Sequence, residues 1–565
     1  MSGLRIDTDV EMTTRDGVVL RADVYRVDDD RPRPALLHRT PYDKTSPTLV
    51  SALVADPVAL ARAGYAVVVQ DVRGRFASDG VLDFGEQEHD DGYDAVEWAA
   101  AQPWCDGQVG VYGSSYHAIT AYAALAAAPP HLRAALVMIG AADLSTTVRP
   151  GGLLELGFLT GYSLGQCVGQ VVRSDRTGEE KASLLQRIGA AAADLRGTVA
   201  HTPVAGIDVL ADPDLAPWWA AWVRDESGGY VTRSAARDAP VTDVPVLSVV
   251  GTRDFMQPSM LTAFGRRDAG ERHRLVVGPW AHNGTYTGNV GARTWAAAPG
   301  GVGAWQSVVQ GWFDRWLRPD ADPVAAPLAR RLLDGPPVAW FATGPGASGA
   351  WAGGESWPPA DARPVDWHLD DGGALSRDPG AGESTYVHDA ATPVPTVGGA
   401  FTCAPLGPDG VQDQAARQAR DDVVVWTSPR LDDDLEVVGE PVLTLRVAST
   451  GEDTDVVVVV SDVEPDGYVA NVSEGALRLR TREGGTEDWL VPGRTYEVRV
   501  PLLHTAHRFA AGHRLRVDVA GSSFPRFSRN LGTREVPELG RIEDAVVTVQ
   551  TVSHTGSWLT LPVRG

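Results

Sequence analysis

A hydroxyl that is to attack a carbonyl needs a base to take its proton, and the base needs a carboxylate to hold it in one tautomer. In this chain of 565 residues the stretch "GQVGVYGSSYHAITAYAALAAA" offers two hydroxyls, Ser114 and Ser115, between a Val-rich run and an Ala-rich run. Residues 109–112 read as a strand and 118–128 as a helix, which leaves 113–116 for a tight turn between them. On such a turn the serine of Gly-x-Ser projects above the sheet, and the helix N-terminus favours the negative charge that develops there. This selects Ser115, with Ser114 facing elsewhere. A competing reading has the serines cap the Ala-rich helix, and the full G-x-S-x-G pattern is absent because His117 stands two places after Ser115.

The partners are sought further along the chain, in the order Ser, Asp or Glu, His. Asp254 follows the apolar run "VPVLSVVG" and His282 follows "RLVVGPW". Both therefore fall at carboxyl ends of predicted parallel strands, where open α/β sheets build their sites. His117 competes as the base, but on the first helical turn it points along the helix flank and has no evident carboxylate to orient it. His89 lies in an acidic helix and reads as surface, and His273 precedes its strand.

The elements that must carry these residues form three zones. Up to about residue 140, strands such as "VVLRADVYR", "PALLHRT" and "YAVVVQDVRG" alternate with helices such as "PTLVSALVADPVALARAG" and "HDDGYDAVEWAAAQ", the pattern of an α/β fold with a mostly parallel sheet covered on both faces. From 145 to 240 the strands stop, and Trp218, Trp219 and Trp222 are spaced to reach one helical face. After about 345, short β-branched runs between Gly and Pro turns predict a jelly roll. The expected division is a core over 1–144 and 241–345, a helical cap over 145–240 and a β-sandwich over 346–565.

The formal charge of −23 opposes any phosphate-rich partner, which argues against nucleic acid. No run approaches the apolar length that spans a bilayer and the first residues lack a signal pattern, so a soluble, cytoplasmic protein is expected. The three cysteines, Cys105, Cys167 and Cys403, are isolated in sequence and suggest neither a disulfide framework nor zinc. No cofactor or metal is expected.

Separated blocks, "TRDGVVLRADVYR", "RTPYDK", "GYAVVVQDVRGRFASDG", "WCDGQVGVYGSSY", "VVGPWAH", "WFDRWL", "DTDVVVVVSDVEPDG" and "AGHRLRVDVAGSSFPRFSRN", run nearly end to end. In them the chain resembles the cocaine esterase-like hydrolases, relatives of the X-Pro dipeptidyl peptidases and the α-amino acid ester hydrolases. The resemblance implies an α/β-hydrolase core with an inserted helical cap and a C-terminal jelly roll, with Ser115 as nucleophile, Asp254 as orienting acid and His282 as base. It also implies an oxyanion hole from the Tyr42 hydroxyl and the Tyr116 backbone N–H; on its own Tyr42 reads as a packing residue beside Pro41. The chain departs from the family at Ala118, where a glycine is usual, so a slightly wider elbow packing is expected.

Phe255, Met256, Trp218 and Trp219 are the expected pocket residues, with Trp222, Phe158 and Tyr162 as further aromatics of the cap. Such a pocket suits an apolar acyl or alcohol group, so the expected activity is that of a serine esterase acting on a small-molecule ester. The alternatives are an X-Pro dipeptidyl peptidase and an α-amino acid ester or β-lactam acylase, which must pair a substrate ammonium with a carboxylate. Asp143 and Glu155 are candidates for that role but read as solvated surface charges, and 432–434 reads as an acidic loop. A remoter alternative is a non-catalytic carbohydrate-binding protein. A homodimer is a further expectation, with no membrane partner.

Overall fold

The computed structural model describes residues 3–46, 54–224, 243–288, 290–295, 298, 300, 303–484 and 488–565. Its core is one twisted sheet of strands β1 (Leu4–Thr13), β2 (Val19–Val27), β3 (Arg33–Thr40), β4 (Ala66–Asp71), β5 (Cys105–Ser114), β6 (Leu132–Met138), β7 (Val246–Arg253), β8 (His273–Ala281), β9 (Val338–Thr343) and β10 (Gly349–Gly354). Their spatial order is β1-β2-β4-β3-β5-β6-β7-β8-β9-β10. Pairing is parallel from β4 through β9 and antiparallel at β1·β2, β2·β4 and β9·β10.

The strands are apolar on both sides because helices cover both faces. In β3, Ala35 and Leu37 face one core and Leu36 the other; in β6, Ala135 and Val137 oppose Ala134, Leu136 and Met138. Helices α1 (Pro57–Arg62), α7 (Gln306–Leu317) and α8 (Pro327–Asp334) pack on one face. On the other lie α2 (Gln87–Ala100), α3 (Tyr116–Ala127) and α6 (Gln257–Gly265). Of the predicted first helix, the described part is α1, which Asp56 caps and Pro57 opens; its predicted start, 47–53, lies outside the described residues.

Between β6 and β7 the chain leaves the sheet and forms helices, chiefly α4 (Leu156–Arg173) and α5 (Gly178–Ala193) and a short Trp-bearing helix at Pro217–Arg224. Residues 225–240 of the expected cap lie outside the described residues. The core sheet runs past the boundary expected at 345. Gly344 N–H donates to the Ser348 carbonyl (2.9 Å), closing a tight turn that brings Gly349–Gly354 back along β9. Beyond it the chain forms a β-sandwich. Its longest strand, Thr548–Arg564, pairs with Ala362–Asp370, Glu383–His388 and Val442–Ser449, while Arg514–Ala520 pairs with Val423–Thr427 and Asp455–Val463. Trp426, Leu443, Val458, Val517 and Leu559 are fully buried between these strands. Among the described residues no helix is long and apolar enough to cross a membrane.

Candidate active site

Ser115 stands alone between β5 and α3, with φ 55° and ψ −126°. A non-glycine residue with positive φ is held there by its surroundings. The turn folds so sharply that a Cβ on Gly113 would come within 2.4 Å of the His117 backbone. The methyl of Ala118 is accommodated by Gly140 opposite, where a Cβ would fall 2.3 Å from the Ala118 Cβ. Ser115 does not use its hydroxyl to cap α3. Its Oγ instead lies 2.9 Å from Nε2 of His282, and Ser114 is fully buried.

His282 follows β8, and Asp254 follows the adjacent parallel strand β7, so the two loops meet at the same end of the sheet. His282 Nδ1 lies 3.2 Å from both Asp254 carboxylate oxygens. Asp254 Oδ1 also accepts the Met256 N–H at 2.9 Å. A carboxylate only accepts, so Nδ1 carries the proton and Nε2 is left to accept the Ser115 O–H. Both side chains are buried, and the Phe255 ring packs 5.1 Å from the imidazole. The arrangement can deprotonate a hydroxyl and hold the resulting imidazolium beside an anion.

Tyr42 lies just beyond β3. Its hydroxyl meets that of Tyr162 (3.4 Å), and burial pushes its phenol pKa up, opposed by hydrogen bonding to Tyr162 and Ser115. Tyr116 opens α3, so its N–H belongs to the helix end that lacks intrahelical acceptors. Its own hydroxyl donates to Glu88 (3.0 Å), which also accepts from Arg39 (2.6 Å). Glu88 is wholly buried. Nothing in the acidic run "GEQEHDDG" marks it off from its half-buried neighbours Glu86 and Asp90.

His117 is not placed to act as the base. Its Nδ1 is 3.0 Å from the Ser114 carbonyl and its Nε2 is 2.9 Å from the Thr40 hydroxyl. His89 is half-buried beside Asp90, and His273 opens β8 at the far end of the sheet. Asp143 and Glu155 are corrected from surface charges to buried ones. Asp143 caps a short helix by accepting from Ser145, and Glu155 pairs with Arg526 at 3.1 Å because both lie where cap and sandwich close on each other. Burial pushes the Glu155 carboxyl up to about 7 against the pull of Arg526. The acidic run 432–434 is exposed, as a loop should be.

A cavity of about 30 Å³ opens beside Ser115, walled by Tyr42, Phe84, Phe158, Tyr162, Trp222 and Met256 among others. Of the expected pocket residues, Met256 lines it. Phe255 stands behind, 4.6 Å from Phe158, and borders a separate cavity of about 230 Å³ between core, cap and sandwich. Trp218 and Trp219 do not line the site cavity. Phe84, from the loop after β4, stands 4.5 Å from the Trp218 ring and takes its place at the cavity wall, while the Trp218 indole donates to Ser163. Among the described residues no cluster of three or more His, Cys, Asp or Glu side chains could hold a metal ion, and all three cysteines are free.

The fold is that of an α/β-hydrolase carrying a C-terminal β domain. Residues 16–284 match the X-Pro dipeptidyl-peptidase (S15 family) model, and 333–557 match the X-Pro dipeptidyl-peptidase C-terminal non-catalytic domain. The cocaine esterase of Rhodococcus sp. (strain MB1 Bresler) is 32% identical, covering 99% of this chain and 98% of that one. Two solved structures share the fold at 24% identity, each covering 100% of this chain and 97% of its own: an aminopeptidase from a Thaumarchaeota archaeon (TM-score 0.79) and an α-amino acid ester hydrolase (TM-score 0.78). The chain belongs to the cocaine esterase-like, X-Pro dipeptidyl-peptidase-like family of hydrolases and is a serine hydrolase. Tyr42, Ser115, Asp254 and His282 all fall within the first matched segment, and the non-catalytic carbohydrate-binding reading is set aside.

Proposed function

We propose that this hydrolase cleaves small carboxylic esters with an apolar acyl group, through an acyl-enzyme on Ser115. The observation that carries the reading is the 2.9 Å approach of Ser115 Oγ to His282 Nε2, with Asp254 behind the ring. In the first step His282 takes the Ser115 proton as Oγ bonds to the carbonyl carbon. The oxygen that becomes anionic is held by the Tyr42 hydroxyl and the Tyr116 N–H. His282 then gives its proton to the departing alkoxide, and the alcohol leaves. Water, deprotonated by the same histidine, attacks the acyl-enzyme, and Ser115 recovers its proton as the acid departs. Protons begin and end on these residues, so the reading calls for no cofactor.

The cavity wall supports an apolar acyl group over an α-amino one. No described residue lining it carries a carboxylate, and a substrate ammonium there would be desolvated without a partner. The closer candidates are committed elsewhere, Asp143 to a helix cap and Glu155 to Arg526. A side-by-side panel of aryl esters, alkyl esters, α-amino esters, β-lactams and X-Pro anilides tests this. Aryl and alkyl esters of apolar acids should show the highest kcat/KM; a preference for X-Pro anilides or α-amino esters would move the chain to the peptidase or acylase reading. The proposed partner is thus a small-molecule ester, with no nucleic acid and no membrane. A homodimer and a cytoplasmic location remain proposals.

A further inference from the structure

We infer that Thr40 and His117 are positioning residues that fix Tyr42 against the nucleophile elbow through a one-directional chain of hydrogen bonds. The inference rests on the proposed oxyanion role of Tyr42 and adds what holds it there. The polarity of each bond follows from its ends. The Ser114 carbonyl only accepts, so His117 Nδ1 carries the proton and donates to it at 3.0 Å. Burial, together with the neighbouring His38, holds the His117 imidazole well below its usual range and therefore neutral. Nε2 is then a lone-pair acceptor, and the Thr40 hydroxyl at 2.9 Å donates to it. The lone pairs of that hydroxyl accept the Tyr42 N–H at 3.1 Å.

The chain thus runs from the Tyr42 amide through Thr40 and His117 to the carbonyl of the residue before Ser115. It joins two segments distant in sequence, and each polar group in it is satisfied. The ring is gripped as well: it stacks on His38 at 4.3 Å and receives the Tyr42 ring edge-on at 5.3 Å. Such a brace has a purpose here, because Tyr42 stands beyond the end of β3, outside regular structure. The next residue, Asp43, is at φ 78°, which a non-glycine residue keeps only when its surroundings over-determine it. An oxyanion donor acts by being in place before the charge appears, so loosening Tyr42 should lower turnover while leaving ground-state affinity nearly alone.

The test is a double-mutant cycle on an aryl ester. Thr40→Val keeps the shape and removes both hydrogen-bond functions; kcat should fall roughly ten- to a hundredfold with little change in KM. Thr40→Ser, which restores the hydroxyl, should recover most of the rate. In a Tyr42→Phe background Thr40→Val should add almost nothing, because the group it positions is gone. His117→Gln, which can keep an amide near Nε2, should retain more activity than His117→Asn, and this pair decides the matter if Thr40→Val fails to fold. Wild-type kcat in Thr40→Val, or a loss of the same size with and without the Tyr42 hydroxyl, overturns the inference. Equal activities of the two His117 variants do so too. Failure of the underlying reading is distinguished by a fluorophosphonate probe: if Ser115 is not labelled in the wild type the site assignment falls, whereas normal labelling with an additive cycle removes the brace alone.

Discussion

Ser115 holds a positive φ that gives it no advantage in stability, and its hydroxyl faces an imidazole rather than the helix it begins. Ser115→Ala should therefore abolish turnover of a p-nitrophenyl ester while circular dichroism and thermal unfolding stay close to wild type; a folded variant with wild-type rate would contradict the assignment. Tyr42→Phe should lower kcat by about a hundred- to a thousandfold, the usual effect of losing one oxyanion donor, with a smaller change in KM. An unchanged kcat would remove Tyr42 from that role. At this scale the sequence was informative where chemistry follows a strand: Asp254 and His282 each come directly after an apolar run. It was silent about Glu88 and about Thr40, whose partners are set by how β3, α2 and α3 come together. His117 stands two residues from Ser115 in sequence, but only the geometry shows that both its nitrogens are already engaged.

The helical cap shows what periodicity can and cannot give. Spacing puts Trp218, Trp219 and Trp222 on one face of the short helix at Pro217–Arg224, and all three are buried there. Which of them borders the cavity beside Ser115 depends on Phe84, which comes from the core and stands at the wall where Trp218 is expected. That information belongs to no single element. Trp222→Ala should enlarge the cavity at the wall it forms with Phe158 and Tyr162. The ratio of kcat/KM for a benzoyl ester over an acetyl ester should rise, and stability should fall by about 3–5 kcal/mol, as for other large-to-small changes at buried aromatics. An unchanged ratio would place the acyl group elsewhere. The elbow helix carries the same lesson: Ala118 in place of the usual glycine was expected to loosen the packing, yet Gly140 opposite has no side chain and leaves room for the methyl.

Over the whole molecule, the three zones of composition are visible as a doubly covered sheet, a group of helices between β6 and β7 and a β-sandwich. What composition could not supply is how they lock. Arg526 of the sandwich pairs with Glu155 and Glu474 and Arg149 with Glu538, while Gln257 and His504 exchange bonds across the core–sandwich junction. These acids look like ordinary surface charge in a chain of net −23 because burial between domains is a property of the assembled fold. Arg526→Ala should leave Glu155 buried without its cation and cost about 3–5 kcal/mol. The cost has a pH sign. The folded state already holds the Glu155 proton up to about 7, above the range of an unfolded glutamate, so stability from this group falls as pH rises through that window. Without Arg526 the carboxylate is less favoured still, so the difference between wild type and variant should be larger in thermal unfolding above pH 7 than near pH 5. A difference that is flat or shrinks with rising pH would contradict the pairing.

The central claim is that one hydroxyl, at Ser115, becomes nucleophilic beside His282. Its most direct test is to react the intact protein with a fluorophosphonate and locate the adduct by peptide mass spectrometry. The account predicts a single adduct on Ser115, with loss of ester turnover in proportion to labelling and no adduct in His282→Ala; full inactivation with the label on another residue, or turnover that survives complete labelling of Ser115, would contradict it.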